Sequence, residues 1–269
     1  MTENACIIVL GGMKMLTQDR YKLILTMLKE KKSITVNELV KKLNTSESTI
    51  RRDLNALDNM NKLKKVHGGA VTIEIDYSTE EFDVLAKQEI NIDKKRKISR
   101  YASTLINSND FIYIDAGTTT ELLVDYLKDI KATYVTNSMI IAKKLALLEL
   151  NVIILGGKFK MSTDAIVGAE AVNMIRKFNF TKGFFGTNAI SIESGYSTPD
   201  IEEAAVKEEA LNRCKKAYIL ADEDKFNKSS SVTFGDISKA TIITNKSFGE
   251  YSIYTEVIEV NDSDLYSNI

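Results

Sequence analysis

Apolar residues in the first third of the chain recur at intervals of three and four, the spacing of one face of an α-helix. Three such sets span residues 21–28, 36–43 and 50–57. Lys31 to Ser33 predict a turn between the first two sets, and Ser46 is the predicted N-cap of the third. The pattern therefore predicts three short amphipathic helices.

A different pattern follows the third helix. Residues 63–71 alternate apolar and basic positions and contain the pair Gly68 and Gly69. Alternation predicts strands and the glycine pair predicts a tight turn. We therefore expect a β-hairpin beside the helices.

Helix and strand patterns alternate from residue 93 onward. Short apolar strands separated by helices indicate a parallel α/β sheet covered on both faces. The predicted strands are 111–115, 132–136, 152–155, 182–186, 217–221 and 241–244, and the predicted helices are 93–106, 119–127, 138–148 and 201–215.

Residues 72–90 and residues 1–14 lie outside these patterns, and residues 94–97 form a charge run. Residues 72–90 are acidic and predict a linker that could also set dimer geometry. The first predicted helix after it contains the charge run 94–97, which is typical of a solvated face. Residues 1–14 carry a short apolar run with no preceding basic residue, which predicts a non-native or mis-started extension with Met13 or Met15 as the natural start, the alternative being an ordered edge strand.

Charge is distributed unevenly along the chain. The whole chain of 269 residues has a net charge of −1, which by itself indicates no polyanionic partner. Residues 15–71, however, hold twelve Lys or Arg and six Asp or Glu, a net charge of +6. Residues 72–269 carry −7. A basic amino-terminal module is thus joined to an acidic body.

Scarce residues exclude several chemistries. His67 is the single histidine, so a multi-histidine zinc site is excluded, and Cys6 and Cys214 form no Cys-x-x-Cys pair. Two isolated thiols are typical of a reducing compartment, which predicts a cytoplasmic protein. No stretch is long and apolar enough to predict a membrane span.

The third predicted helix has the chemistry of a DNA reader. Small hydroxyl side chains let a helix start enter the major groove, and arginines bind guanine or phosphate. Lysines on the hairpin can lie along the backbone phosphates as a wing. The alternative is a helical hairpin with solvated lysines. The predicted DNA-binding residues are Ser46, Ser48, Thr49, Arg51, Arg52, Lys64, Lys65 and His67.

Polar residues and glycines collect where five predicted strands end. In parallel sheets, ligands bind beyond the carboxyl ends of the strands, and glycines with free helix amides there suit phosphate. A strand followed by Gly-Thr can also be a simple tight turn. The predicted ligand-binding residues at these ends are Asp115, Gly117, Thr118, Thr119, Asn137, Ser138, Gly156, Gly157, Gly186, Thr187, Asp222 and Lys225.

A further candidate segment surrounds Pro199, the single proline. Asp200 can cap the helix that follows, and Glu203 and Lys207 lie four residues apart on one helical face. These two residues could form a surface ion pair of little energetic value. Beside a phosphate loop, they could instead hold sugar hydroxyls and phosphate.

The motifs of both modules resemble one family. Residues 16–20, 36–43, 46–54 and 66–70 are similar to the winged helix-turn-helix of the DeoR family of bacterial sugar-metabolism repressors. In the body, the similar motifs are Asp115 to Thr119, Thr136 to Ser138, Gly156-Gly157, Phe185 to Thr187, Asp200 to Lys207, and Ala221 to Phe226.

The resemblance implies a fold and a mechanism. It implies an amino-terminal winged helix-turn-helix at 15–71, and at 91–269 a parallel-sheet α/β effector domain similar to ribose-5-phosphate isomerase that senses phosphorylated sugars. The run from Ser197 to Lys207 most resembles fructose-operon repressors, for which fructose 1-phosphate is the expected effector. Two departures, Asn188 to Ile190 and Asp224 before Lys225, put contact details in doubt but not the domain.

We therefore expect a repressor of a sugar operon that binds double-stranded operator DNA as a homodimer or homotetramer and is released by a sugar phosphate. No enzyme activity, metal or cofactor is expected. The alternative is a sugar-phosphate isomerase fused to a DNA-binding head, with Asp115, Asp200 or Glu203 as the base. An activator would have the same sequence features as a repressor.

Overall fold

The structure is a computed structural model that describes residues 15–60, 62–72, 76–78, 84–127 and 131–261. The extension predicted for residues 1–14 lies outside the described residues. The chain divides into two compact units, Met1–Glu74 and Ile75–Ile269. We call them the amino-terminal unit and the carboxy-terminal unit.

The amino-terminal unit is built from three helices and a small sheet. The sheet is antiparallel, with strand order β1-β3-β2. The predicted helices and the hairpin are confirmed, while β1 occupies the place of part of the predicted turn. The elements are α1 (Thr17–Lys31), β1 (Ser33–Thr35), α2 (Val36–Leu43), α3 (Glu47–Asn59), β2 (Lys64–Val66) and β3 (Gly69–Val71).

Local capping explains where these helices begin and end. Thr35 and Glu38 form a capping box at the start of α2, and the Ser46 side chain accepts a hydrogen bond from the Thr49 amide at the start of α3. Lys32 and Asn44 adopt left-handed backbone conformations just beyond α1 and α2. The helices enclose one core of buried residues, which are Ile24, Leu28, Ile34, Val36, Leu39, Leu43, Ile50, Leu54, Leu57, Leu63 and Ala70.

The carboxy-terminal unit begins inside the predicted linker, which the structure corrects. Asp76–Ser78 forms β4 and pairs in parallel with a strand 152 residues later in the chain, Lys228–Ser230, while Val84–Glu89 forms the short helix α4. Sequence periodicity missed β4 because three residues are too few for a pattern and their pairing partner is distant. It missed α4 because a helix of six residues has fewer than two turns. The next elements are α5 (Ile92–Thr104), β5 (Phe111–Ile114), α6 (Thr118–Val124), β6 (Thr133–Thr136), α7 (Met139–Leu147) and β7 (Asn151–Ile154).

The remaining elements include several that the sequence did not predict. A hairpin, a short helix and a second antiparallel sheet lie between the main strands. They are β8 (Lys158–Lys160), β9 (Ala165–Val167), α8 (Ala169–Ile175), β10 (Phe180–Gly186), β11 (Ala189–Ser191), β12 (Gly195–Thr198), α9 (Ile201–Asn212), β13 (Cys214–Leu220), β14 (Lys228–Ser230), β15 (Val232–Gly235), β16 (Thr241–Thr244) and β17 (Val257–Glu259).

Seven parallel strands form the main sheet in the order β17-β16-β13-β10-β5-β6-β7. The predicted parallel α/β fold is confirmed, and β17 adds an edge strand. One apolar core contains residues of α8 and α9, and another contains residues of α5, α6 and α7. Helices therefore cover both faces of the sheet, as its continuous apolar strands require.

Candidate functional site

The strand order places a topological switch point between β5 and β10. From β5 the chain adds β6 and β7 on one side, then returns to add β10, β13, β16 and β17 on the other. Ligands of open α/β sheets bind beyond the carboxyl ends of strands at such a point, where adjacent connections leave on opposite faces. Asp115 directly follows β5, and Gly186 ends β10.

Asp115 and Lys207 meet at this switch point. Asp115 is fully buried and Lys207 is 5 % exposed. The Lys207 ammonium donates a hydrogen bond to Asp115 Oδ2, and the Gly186 amide donates another to the same oxygen at 3.0 Å. Lys207 also lies 5.6 Å from the centroid of the Phe234 ring. The interpretation of Lys207 as half of a surface pair with Glu203 is therefore wrong.

The second oxygen of Asp115 lacks a partner. Asp115 Oδ1 is buried and has no hydrogen-bond partner among the described residues. Burial raises the pKa of Asp115 above its ordinary value, although the ammonium of Lys207 acts in the opposite direction. A buried acceptor of this kind needs a donor, and the hydroxyl of a ligand would provide one.

Glu203 lies in a second cluster next to this pair. Its carboxylate accepts hydrogen bonds from Thr163 Oγ1 at 2.5 Å and from Lys160 Nζ at 3.1 Å. Asp200 caps α9 by accepting from the Glu203 amide at 2.8 Å and also accepts from Lys160 Nζ at 2.8 Å. Glu203 is 8 % exposed. The cluster thus joins the first turn of α9 to the hairpin of β8 and β9.

Sequence reasoning missed Lys160 and Thr163. Neither belongs to a motif, and they come close to Glu203 only because β8 and β9 fold back as a hairpin over α9. Burial raises the pKa of Asp200, but the hydrogen bonds from Lys160 and from backbone amides outweigh it and hold that pKa below its ordinary value. The lowered pKa keeps the Asp200 side chain in its charged form as it accepts from Lys160.

Three predicted ligand residues use their side chains within the protein. Asn137 Oδ1 accepts from the Ala116 amide at 2.8 Å, which holds the loop after β5. Ser138 caps α7 and donates to Asp164 Oδ2 at 2.6 Å. Thr187 Oγ1 lies 2.9 Å from the Ala189 carbonyl, to which it donates. These side chains shape the strand ends whether or not they also contact a ligand.

The glycines at the strand ends differ in the space that surrounds them. Gly157 has φ +150°, and a Cβ there would lie 2.6 Å from the Val167 carbonyl oxygen, so the close approach of β9 requires glycine. A Cβ on Gly156 would meet nothing within 4 Å, and one on Gly117 would lie 3.2 Å from Thr120 Oγ1. Gly156 therefore leaves open space at the end of β7.

The loops after β5 and β13 hold the remaining predicted ligand residues. Thr118 and Thr119 form the first turn of α6, and the Thr119 carbonyl accepts from Ser99 Oγ of α5 at 2.6 Å. Asp222 is buried and caps a short 3-10 turn that contains Lys225. A cavity of about 630 Å³ at the junction of α4, α5 and α6 is also lined by Thr118.

The charge run before this site is corrected by the structure. Lys95 is 4 % exposed rather than solvated, and its Nζ donates to the Lys87 carbonyl of α4. Burial lowers the pKa of Lys95 to about 8. Lys94 forms an ion pair with Glu223 at 2.7 Å. A helix that looked uniformly solvated thus has one buried cationic residue.

The amino-terminal unit presents the predicted reading surface along α3. Ser46, Ser48 and Thr49 form a hydroxyl cluster, with Ser46 Oγ 2.9 Å from Ser48 Oγ and 2.8 Å from Thr49 Oγ1. Arg51 pairs with Glu47 at 2.6 Å on the exposed face. Arg52 is exposed and has no ion-pair or hydrogen-bond partner among the described residues.

The hairpin of β2 and β3 carries the predicted wing residues. Lys64 and His67 are exposed, and Lys65 donates from its Nζ to Asn55 Oδ1 at 2.5 Å. Gly68 has φ +84° at the turn, a backbone conformation that favours glycine. The Lys65 contact ties the wing to the exposed face of α3, so both elements present basic groups together.

A buried ion pair that the sequence did not predict positions α3. Arg20 of α1 forms a two-pronged contact with Asp53 of α3, which includes Nη2 to Oδ1 at 2.9 Å. The side chains are 11 % and 4 % exposed. Asp53 lies beside the exposed Arg52, so the same short string supplies one candidate DNA contact and one structural anchor.

Within the described ranges, no group of three or more His, Cys, Asp or Glu residues could hold a metal ion. None of the helices in the part of the chain that the structure describes is long and apolar enough to cross a membrane.

Comparisons with known proteins agree on both units. Residues 20–76 match the DeoR-like helix-turn-helix domain, and residues 90–246 match the DeoR C terminal sensor domain. The chain is 40 % identical over 231 residues to the uncharacterized HTH-type transcriptional regulator FruR of Bacillus subtilis, covering 86 % of this chain and 91 % of that protein.

One further relative and one solved structure complete the comparison. The lactose phosphotransferase system repressor of Staphylococcus aureus is 33 % identical over 225 residues, covering 82 % of this chain and 88 % of that one. Among solved structures, ribose 5-phosphate isomerase A of Methanocaldococcus jannaschii is similar to this chain with a TM-score of 0.39 and 14 % identity, covering 51 % of this chain and 55 % of the other.

Proposed function

The chain belongs to the DeoR family of DNA-binding transcriptional repressors of sugar operons, and we propose that it controls a fructose operon. In this proposal the exposed face of α3 and the wing bind double-stranded operator DNA, and the chain acts as a homodimer or homotetramer. A phosphorylated sugar such as fructose 1-phosphate binds the carboxy-terminal unit and releases the DNA. The 40 % identical relative carries the name FruR, which supports fructose as the sugar.

The unpartnered oxygen of Asp115 carries the effector part of the proposal. Asp115 Oδ1 is buried at the switch point, where a sugar hydroxyl can donate to it. Lys207 and Glu203 lie around this position and supply a further donor and a further acceptor. Neighbouring acceptors and donors at fixed spacing suit a polyol better than an apolar ligand.

Release follows if the effector binds the DNA-free form more tightly than the DNA-bound form. A ligand shifts a conformational equilibrium only by the difference between its affinities for the two forms. Binding at the β5 and β10 ends would engage α9 through Glu203 and Lys207 and the β8-β9 hairpin through Lys160. We therefore expect the bound effector to shift the positions of α9 and of the β8-β9 hairpin.

A gel-shift titration tests the proposal. DNA from upstream of the chain's own operon is mixed with the full chain, and fructose 1-phosphate, other sugar phosphates and free fructose are added separately. We expect release by a sugar phosphate at micromolar to millimolar concentration and none by free fructose. Absence of release by every sugar phosphate tested contradicts the effector proposal.

A matched pair of variants locates the site. Glu203→Gln removes one charge from the buried cluster, whereas Glu208→Gln makes the same change at an exposed position of the same helix. We expect Glu203→Gln to raise the releasing concentration at least about tenfold, since a lost charged hydrogen bond costs roughly 1.5–3 kcal/mol, and Glu208→Gln to leave it unchanged. Equal behaviour of the two variants would place the effector elsewhere.

An isomerase activity is the alternative function. Burial raises the pKa of Asp115, a feature also found in carboxyl groups that act as general bases. The curated relatives described above are named as regulators and a repressor, which favours binding without turnover. Turnover of pentose or hexose phosphates in a sensitive isomerase assay would overturn the non-enzyme proposal.

A further inference from the structure

Exposed apolar side chains are concentrated at one edge of the main sheet. Of the fourteen large apolar residues that are exposed in the described part of the chain, six lie within residues 139–161, which contain α7, β7 and β8. A seventh, Ile201, begins α9. Single apolar residues on a surface need no explanation, but a cluster of them marks an interaction site. This edge of the sheet is therefore a candidate for contact with another molecule.

Five of these side chains surround the hairpin of β8 and β9, and we call them the β8-β9 surface. They come from the start of α7, the end of β7, the middle of β8, the turn after β8 and the start of α9. Each is between 37 % and 84 % exposed, so a large part of its apolar area faces water in the single chain. The five residues are Met139, Ile154, Phe159, Met161 and Ile201.

An ion pair brings β8 next to the start of α9. Lys158 of β8 lies 2.8 Å from Glu202 of α9. Phe159 follows Lys158 in the chain, and Ile201 precedes Glu202. The same contact that joins the two charged side chains therefore brings the two exposed apolar side chains to one region of the surface.

Hydrogen bonds bring the turn after β8 next to the start of α7. Asp164 Oδ2 accepts from Ser138 Oγ at 2.6 Å and from the Ile140 amide at 2.9 Å. Met139 lies between these two donors in the chain. Met161 belongs to the turn, because its carbonyl accepts from the Asp164 amide at 3.4 Å. The exposed side chains of Met139 and Met161 are therefore held in the same neighbourhood.

Ile154 ends β7, which is an edge strand of the main sheet. Among the described strands, β6 is the only one that pairs with β7, so the other side of β7 is open. Proteins usually protect such an edge with a charged residue, a proline or a bulge. The sequence of β7 is Asn-Val-Ile-Ile, without charge or proline, whereas the opposite edge strand, β17, contains Glu259. The β7 edge is therefore the less protected of the two.

Charge disfavours a polyanionic partner at this surface. The two lysines of β8 are already paired, Lys158 with Glu202 and Lys160 with Asp200. Binding of a nucleic acid depends on cationic side chains that pair with its phosphates. Residues 72–269 carry a net charge of −7, so two carboxy-terminal units repel each other over most of their surfaces. Two copies of the chain therefore approach at the least cost where the surface is apolar and its charges are paired.

The size of the β8-β9 surface fits a second copy of the chain. Five large apolar side chains at the exposures given above present on the order of 500 Å² to water. A standard interface buries about 800 Å² of each partner, and about 65 % of a homodimer interface is apolar. The β8-β9 surface is therefore large enough to supply the apolar part of one such interface, and the β7 edge and the paired charges around it supply a polar rim.

We propose that a second copy of this chain docks on the β8-β9 surface and covers the adjoining edge of β7, so that two carboxy-terminal units pair about a two-fold axis. In such a pair both copies use the same patch, and an apolar patch is complementary to itself. This inference rests on the oligomeric part of the proposed function and assigns a surface to it. Because Lys160 and Thr163 contact Glu203, the second copy lies beside the candidate site.

Sedimentation equilibrium of the full chain tests the surface with Met161→Asp and its matched control Ile253→Asp. Met161 and Ile253 are 84 % and 77 % exposed, so neither substitution disturbs the core, and only Met161 belongs to the β8-β9 surface. We expect Met161→Asp to halve the size of the assembly and to raise the dissociation constant of that step at least about a hundredfold, because each pair of copies gains two carboxylates in an apolar contact. Ile253→Asp should associate as the wild type does.

Hydrogen exchange gives a second measurement that needs no substitution. The wild-type chain is compared at concentrations above and below its dissociation constant. We expect the amides of residues 151–161 to exchange more slowly in the assembled form, because the partner covers β7 and β8. Met161→Asp should show the faster exchange at both concentrations.

The outcomes separate this inference from the proposed function. A wild-type chain that is monomeric at every concentration overturns the inference, and so does an assembly that Met161→Asp leaves intact or in which residues 151–161 gain no protection. Release of operator DNA by a sugar phosphate supports the proposed regulator whichever surface joins the copies. If no sugar phosphate releases the DNA, the effector proposal fails, while dissociation by Met161→Asp alone still supports the β8-β9 surface.

Discussion

Glu38 accepts three hydrogen bonds at the first turn of α2. They come from the Thr35 amide at 2.9 Å, from Thr35 Oγ1 at 3.0 Å and from Lys31 Nζ at 2.9 Å. The hydrogen bond from Lys31 is the largest of the causes that lower the pKa of Glu38 from 4.5 to about 2, followed by those from Thr35. The charged form of Glu38 is therefore part of the helix cap.

The expected pH dependence follows from the sign of this change. Because the pKa of Glu38 is lower in the folded than in the unfolded chain, its stabilising effect is complete above about pH 4.5 and is lost as the pH falls towards 2. Carbon-13 detected NMR titration should show Glu38 titrating well below the ordinary pKa of a glutamate. In a Thr35→Ala variant, its pKa should rise towards the ordinary value, and an unchanged pKa would contradict the capping role.

Side chains of the candidate site also depend on partners from distant parts of the chain. A spacing of four residues correctly placed Glu203 and Lys207 on one face of α9, yet each binds a group from another element. Asp115 lies 92 residues before Lys207, and no local pattern reports such a distance. The sequence pointed to Asp115, Glu203 and Lys207 as candidates, but not to their partners, which include Lys160 and Thr163.

Helices α1 and α3 are tied together by one buried ion pair. Arg20 and Asp53 are nearly excluded from water and make a two-pronged contact. Breaking such a pair leaves a buried charge without a partner, which costs roughly 3–5 kcal/mol. Because α3 carries the proposed DNA contacts, this pair also fixes the angle at which they are presented.

We expect Arg20→Ala to lower the free energy of unfolding of the amino-terminal unit by about 3 kcal/mol. Arg51→Ala is the matched control, because it removes an exposed pair with Glu47 within α3 and should cost at most about 0.5 kcal/mol. Urea unfolding of the two variants measures the difference. Similar losses in both would mean that burial of the Arg20 pair contributes nothing.

Helices and strands were predicted best where the periodic pattern of apolar residues was long. The helices of the amino-terminal unit and the strands of the main sheet appear close to their predicted places. Elements of three residues, such as β4, β8 and β9, escaped because so few positions define no period. The sequence of residues 72–90 was therefore assigned wholly to a linker, although tertiary pairing with β14 turns part of it into a strand.

Charge is divided between the two units of the molecule. The basic stretch of residues 15–71 carries +6, and the remainder from residue 72 carries −7. Binding of a polyanionic duplex releases counterions, so its affinity falls steeply with salt, in proportion to the number of phosphates contacted. We assign that contact to the exposed basic groups of α3 and the wing, which include Arg52 and Lys64.

The logarithm of operator affinity should fall linearly with the logarithm of salt concentration. Arg52→Ala should weaken binding by roughly 1–3 kcal/mol and, if Arg52 contacts a phosphate, reduce the slope by about 1. Lys177→Ala, an exposed change of equal charge in the carboxy-terminal unit, should leave both unchanged. Fluorescence anisotropy with labelled operator measures this. Binding of fructose 1-phosphate by Arg52→Ala should equal that of the wild type, since its loss would indicate misfolding.

The sequence by itself determined the two units, the parallel sheet, the capping residues Ser46 and Asp200, and the polar character of the strand ends. These features depend on neighbours within a few residues or on a repeated apolar pattern, which a sequence displays directly. Tertiary structure alone decided that Lys95 is buried, that Lys160 reaches Glu203 and that one oxygen of Asp115 lacks a partner. Those facts depend on burial and on contacts between distant elements, which exist only once the sheet and both of its helical layers have assembled.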